Sequence, residues 1–192
     1  MMPDGLTARA HWSPLASQSK TGDKSVGGLA GASATGGSYD LTLVATDAIL
    51  GMEGLTLHAG MAKVEQFTDS SAIDDDKEET TLAIVYAAGG FTLGYQWSEA
   101  DLGTTTGAQQ YDNDGYGITF AVNDDLTIGY NHYESVQTNS TNVTNEATSV
   151  QVAYSAGGLS LRLAAGEGDN MAYQTGAAYD RDNTILSVAL AF

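Results

Sequence analysis

Apolar and polar residues alternate along most of the chain with a period of two, in segments that begin alike. Leu6-Thr7-Ala8, Leu55-Thr56-Leu57, Phe91-Thr92-Leu93, Leu126-Thr127-Ile128 and Leu159-Ser160-Leu161 each read apolar, hydroxyl, apolar. Two continue almost identically, as Phe91-Thr92-Leu93-Gly94-Tyr95 and Leu126-Thr127-Ile128-Gly129-Tyr130. The last four openings lie about 33 to 36 residues apart, a period that helical repeats share. Helices need apolar positions three or four apart, so the period of two selects strands. A short turn precedes each of these four: 51–54, Gly89-Gly90, Asn123-Asp124-Asp125 and Gly157-Gly158. Gly-Gly suits two-residue hairpins, whose central residues need positive φ. Leu41, Leu43 and Ala45, then Leu82, Ile84 and Tyr86, then Ile118, Phe120 and Val122, then Val150, Val152 and Tyr154 alternate ahead of the turns. The pattern predicts ten strands, at about residues 5–13, 39–49, 54–67, 79–88, 91–101, 112–122, 126–136, 146–156, 159–168 and 182–192.

The connections alternate too. Long polar ones fall at 13–38, 68–78, 102–111, 137–145 and 169–181, and the short turns lie between them. Up-and-down strands with short turns at one end and long loops at the other describe an outer-membrane β-barrel. Several runs reach about 9–11 residues, the span of a tilted membrane strand, where globular strands average about 5–6. The expected fold is therefore all-β, a single domain over residues 1–192 forming an antiparallel up-and-down transmembrane β-barrel. A soluble sandwich, whose strands also alternate, is the rival.

Composition removes other classes. The chain has 192 residues, no cysteine, and 24 acidic against 7 basic residues, for a net charge of −17. Such a balance argues against nucleic acid, where basic groups supply most of the affinity. Without cysteine there is no disulfide framework, thiolate metal site or cysteine nucleophile. No apolar run approaches about 18 residues, which excludes a transmembrane helix. The start, Met1-Met2-Pro3-Asp4-Gly5, shows no basic and apolar leader, so no signal peptide is expected in this chain.

One phase of each strand is large and apolar, as Leu93, Tyr95 and Trp97 are against Thr92, Gly94, Gln96 and Ser98. The other phase is Gly, Ala, Ser, Thr, Asn and Gln, with Arg9, His11, His58, Tyr133 and Arg162 among them. It reads as a lumen, which makes Arg9, His11, His58, Gln96, Tyr133 and Arg162 the candidate pore-lining residues. The acids are expected in loops and at strand ends, since a charge at mid-membrane costs about 2–4 kcal/mol. Phe91, Tyr86, Phe120, Tyr154 and Phe192 fall near the short turns, and Trp12, Trp97 and Tyr116 toward the long loops. Two aromatic belts suit the two headgroup regions of a bilayer.

The terminal Leu186-Ser187-Val188-Ala189-Leu190-Ala191-Phe192 resembles the C-terminal signature of Gram-negative outer-membrane proteins, alternating apolar residues that end in Phe. Leu186, Val188, Leu190 and Phe192 would then be the assembly signal. Gly157-Gly158-Leu159-Ser160-Leu161, followed by Gly166-Glu167-Gly168-Asp169-Asn170, resembles the last hairpin of general-diffusion porins of the alphaproteobacterial type. The resemblance covers 54–192 well and the first 50 residues weakly. It implies a homotrimer of 16-stranded barrels in outer-membrane lipid and lipopolysaccharide, each pore narrowed by an inward-folded loop. The present chain would supply the last ten strands, as a fragment of such a barrel, and the family's constriction loop follows an earlier strand.

The function expected on these grounds is passive diffusion of small hydrophilic solutes and ions, without cofactor. The negative charge around the mouth would favour cations. Alternatives are a narrow filled barrel serving as anchor or adhesion surface, and a soluble all-β binding module. Asp69, Asp74, Asp75, Asp76, Glu78 and Glu79 form an acidic loop in which Asp74, Asp75 and Asp76 suit Ca²⁺ by their hard oxygens. The spacing has no EF-hand pattern, and a solvated loop is the plainer interpretation. Asp112 and Asp114, and Asp180 and Asp182, are weaker acidic groups of the same kind. The Gly/Ala/Ser-rich stretch 13–38, with Lys20 and Lys24, is a flexible loop or a segment that narrows the mouth. No HExxH pair, Gly-x-Ser-x-Gly elbow or phosphate loop is present.

Overall fold

Ten strands form one antiparallel sheet whose spatial order is the chain order. They are β1 (Leu6–Ser13), β2 (Thr35–Thr46), β3 (Leu55–Gln66), β4 (Lys77–Ala88), β5 (Phe91–Asp101), β6 (Gln110–Ala121), β7 (Leu126–Thr138), β8 (Val143–Ala156), β9 (Leu159–Asp169) and β10 (Arg181–Leu190). The computed structural model describes residues 2–14, 35–66 and 72–191. Phe192, Asp69 and most of the 13–38 stretch, with Lys20 and Lys24, lie outside the described residues.

The short turns follow from their residues. Gly89 and Gly90 have φ of 57° and 85°, and Gly157 and Gly158 have 57° and 83°. Positive φ at both central positions matches the right-handed twist of the flanking strands. The glycine-free turn before β7 closes differently: Asn123 Oδ1 accepts the N–H groups of Asp125 and Leu126, both at 2.9 Å, an Asx turn. The turn after β2 departs from expectation. Asp47–Leu50 forms one helical turn, α1, stopped by Gly51 at φ 70°, so β2 ends at Thr46 rather than near residue 49. Asp in the first turn and a left-handed glycine after the last favour that turn.

Two further boundaries differ. β7 and β8 extend to Thr138 and from Val143. The connection expected at 137–145 therefore shrinks to residues 139–142, shorter than the 47–54 connection at the other end. The alternation of long and short connections is consequently not strict. Second, the sheet is open: among the described residues β1 pairs only with β2, and β10 only with β9. β1 and β10 thus form the two free edges of the sheet among the described residues, as in a fragment of a larger barrel.

The sheet has no second layer. Val64, at 7% exposure, is the one buried apolar side chain among the described residues. Leu93, Ile128, Leu163, Leu186 and Leu190 stand exposed. A soluble domain buries its apolar face against another layer. Here that face needs an apolar environment instead, which weighs against the soluble sandwich.

Candidate functional site

Cross-strand register sorts the side chains onto two faces, since Cα partners share a face and neighbours along a strand do not. Arg9 pairs with Thr42, Thr42 with Gly60, and Gly60 with Thr81. The same row continues through Ser98, Asn113, Ser135 and Asn145. The polar face thus runs unbroken across the sheet. All six predicted lining residues, Arg9, His11, His58, Gln96, Tyr133 and Arg162, stand on it.

The centre of this face, from β4 to β8, is neutral at mid-strand. It presents Gln96, Asn113, Asn131, Tyr133 and Gln151 around the paired Gly94 and Gly117. A depression of about 460 Å³ lies here, lined by Gln96, Asn113, Asn131 and Tyr133. Its polar groups hold one another. Asn131 Oδ1 accepts Ser149 Oγ at 2.5 Å and Gln151 Nε2 at 3.1 Å.

Charge on the polar face lies mostly toward the two edges of the sheet. His11 Nδ1 is 3.3 Å from Asp40, and Lys77 Nζ is 2.5 Å from Glu79. Arg9, His58 and Arg162 make no ion pair or side-chain hydrogen bond among the described residues. The structure therefore does not bring the predicted cations into one cluster. Arg9 and Arg162 lie eight strands apart, on β1 and β9.

Apart from Asp40 and Glu79, the strand acids occupy the opposite face. Glu78, Glu99, Asp114, Glu134, Glu146, Glu167 and Asp182 share the phase of Leu82, Leu93, Ile118, Ile128, Val152, Leu163 and Leu186. They cap the apolar band at the end of the long connections. Asp74, Asp75 and Asp76 do not converge on a common point. The N–H groups of Asp74 and Asp75 bond to Gly103 O. Asp76 accepts Gln66 N at 3.0 Å and sits 3.2 Å from Lys63 Nζ. Among the described residues no group of three or more His, Asp or Glu is gathered as metal ligands, and the candidate Ca²⁺ ligands Asp74, Asp75 and Asp76 point to different partners.

One polar cluster was not anticipated. The β9–β10 connection, residues 170–180, turns back over the polar face, where Tyr173 OH meets Ser135 Oγ at 2.7 Å. Ser135 is fully buried and donates to Asn113 Oδ1 at 2.5 Å, so Tyr173 is the donor in its own bond. Asn113 Oδ1 also accepts Tyr133 OH at 2.8 Å. The Tyr173 ring lies 5.2 Å from that of Tyr111, tilted by 52°. Burial pushes the Tyr173 phenol above its ordinary value, so it stays a neutral donor. Strand phase puts Asn113 and Ser135 on the face of Tyr133, whereas Tyr111 falls in the connection expected at 102–111. Nothing in the local pattern showed where Tyr173 would land.

A single up-and-down sheet with an apolar face, a polar face and aromatic residues at the strand ends defines the wall of a β-barrel. No protein-family model and no curated protein matches the chain. Among solved structures, a porin is similar, with a TM-score of 0.62 and 15% sequence identity over 100% of this chain. The chain spans 60% of the length of that porin. At this identity the likeness is one of fold.

Proposed function

We propose that the chain forms the wall of a water-filled outer-membrane channel through which small hydrophilic solutes and ions diffuse passively. The observation that carries this is the polar face. Its centre is carpeted by Gly, Ser, Thr, Asn and Gln, whose side chains are too small to fill a barrel, which favours a channel over a filled anchor. In a bilayer, the free edges of β1 and β10 must be satisfied, against each other or against other strands. Lipid and lipopolysaccharide on the apolar face, homotrimeric assembly and an alphaproteobacterial affinity belong to the same proposal. Leu186, Val188 and Leu190 share the apolar face of β10, in keeping with an assembly signal that ends at Phe192.

Ion preference follows from two opposed charge sets. The −17 net charge sets a negative potential around the mouth. Arg9, Lys77, Arg162 and Arg181, against Asp40 and Glu79, make the polar face locally positive. We expect modest cation preference at low salt that fades as salt screens the mouth over about one Debye length, ~10 Å at 0.1 M. Reversal potentials in a KCl gradient across a planar bilayer test this. Conductance with cation preference supports the proposal, anion preference shows that the polar-face cations dominate, and no conductance sinks the channel.

A further inference from the structure

We infer that the β9–β10 connection is a built-in constriction of this channel and that Tyr173 is its size-determining residue. The inference rests on the channel proposed above. Starting from the end of β9, the connection reaches β7 through Ser135 and β6 through the ring of Tyr111. At about 4.8 Å between neighbouring strands, that is about 14 Å across the polar face. Whatever covers that face stands in the path of a solute.

The segment is held at several points. Asn170 Nδ2 donates to Thr144 O at 2.9 Å, and Asn170 N to Asp180 Oδ1 at 3.1 Å. Met171 N donates to Tyr179 O at 3.0 Å. Tyr173, Ser135, Asn113 and Tyr133 then form a continuous chain of bonds, and Asn113 Nδ2 extends it to Ser98 on β5 at 3.3 Å. The backbone argues the same way. Asn170, Ala172 and Tyr173 have φ of 52°, 59° and 56°, a region that non-glycine residues rarely occupy. Such conformations persist only where surrounding contacts over-determine them. Three within four residues mark a segment fixed in place, whose anchors supply the compensation.

The rim it makes is uncharged. Tyr111, Tyr133 and Tyr173 present phenols, and Asn113 and Gln137 present amides, with Gln137 Nε2 donating to Tyr111 OH at 2.9 Å. This rim screens by size without selecting ions, and it offers hydrogen bonds to hydroxylated neutral solutes such as sugars.

The test uses the full chain in phospholipid vesicles, with swelling rates in mono-, di- and trisaccharides. Tyr173→Ala should raise the trisaccharide rate relative to the monosaccharide rate several-fold, and Tyr173→Phe, which keeps the ring, should raise it less. The reversal potential should not move. A second measurement needs no conduction. Ala172→Cys with Asn145→Cys, which leaves Tyr173 and Ser135 intact, should be joined by a short bis-maleimide, which alkylates both thiols, and change gel mobility. Failure to cross-link overturns the inward docking. An unchanged size profile in Tyr173→Ala overturns the constriction while the channel stands. Cross-linking with no swelling from the unmodified chain overturns the channel, and the constriction with it.

Discussion

The two faces of the same strands treat charge in opposite ways at the end of the long connections. On the apolar face, Asp114, Glu134 and Glu146 are consecutive Cα partners across β6, β7 and β8. On the polar face, one residue along, the same strands carry Asn113, Ser135 and Asn145. Like charges directly opposite one another are destabilising, so the acidic row is an expense for the sheet. It is only partly relieved. The Tyr95 hydroxyl donates to Asp114, and His132 Nδ1 lies 3.6 Å from Glu146. In the neutral row Ser135 is satisfied through Asn113. The comparison teaches that charge here is sorted by face as well as by height. Acids crowd the apolar face at this end, and the polar face beside them carries neutral residues at the same height.

The largest expected effect comes from breaking that sorting in the middle of the sheet. Leu93→Asp puts a carboxylate in the apolar band, while Thr92→Asp puts one on the polar face a residue away. The first should cost up to about 2 kcal/mol, because a carboxylate on the lipid face costs less than the ~2–4 kcal/mol of a Lys or Arg at the midplane, against a typical total stability of about 5–15 kcal/mol. The second should cost far less. Urea unfolding in vesicles, with heat-modifiable mobility as the assembly check, measures both. Equal losses would mean that the two faces do not meet different media. Cysteines at Leu93, Ile128 and Leu161 against Thr92, Thr127 and Ser160 sharpen the same point. The first set should react with membrane-confined labels and the second with water-soluble ones, because a one-residue slip would exchange them completely.

A smaller effect is expected from the polar-face cations. Arg9→Gln with Arg162→Gln removes two positive charges that have no partner among the described residues. The reversal potential in a KCl gradient should shift toward stronger cation preference, and most at low salt. No shift would place both side chains off the conduction path.

Much of this was legible in the sequence because strand alternation fixes faces directly. Ten strands, the Gly-Gly hairpins and the shared face of the six candidate residues follow from a period of two and a few turn residues. What was not legible depends on contacts between distant segments. The helical turn at Asp47–Leu50 is too short to have a period of its own. The length of β7 and β8 beyond the apolar band is carried by polar residues such as Asn145 and Gln137, which look like loop. Asp76 looked like a metal ligand because its pairing with Lys63 crosses from a loop to β3. Tyr173 reaches its partners through left-handed conformations at Asn170, Ala172 and Tyr173 itself, which Asn tolerates but Ala and Tyr do not favour. The acids were recognised as lying at strand ends, but their face was passed over. Counting phase from Leu93 to Glu99, or from Ile128 to Glu134, would have put them on the apolar side.

The smallest effect tests whether the acidic row costs the fold anything. Glu134 has a carboxylate opposite it on both sides, Asp114 on β6 and Glu146 on β8, and Glu146 in turn faces Asp169 on β9. Replacing it by Gln keeps the shape and removes both repulsions. Cross-strand pairs are worth about 0.2–1 kcal/mol each, so Glu134→Gln should stabilise the folded protein by a few tenths to about 1 kcal/mol in low salt. Added salt should reduce the gain, because these side chains lie where ions can screen them. Asn113→Ala, one residue away in phase, should move the other way. It removes the acceptor that Ser135 and Tyr133 share; the buried Ser135 keeps Tyr173 as its partner, so the loss is that of ordinary hydrogen bonds, about 0.5–1.5 kcal/mol. Urea midpoints of the two variants, at low and high salt, decide the matter. A salt-dependent gain for Glu134→Gln beside a salt-independent loss for Asn113→Ala separates the two faces energetically. A loss for Glu134→Gln would show that this carboxylate makes a favourable interaction in the membrane that outweighs the repulsion of its neighbours.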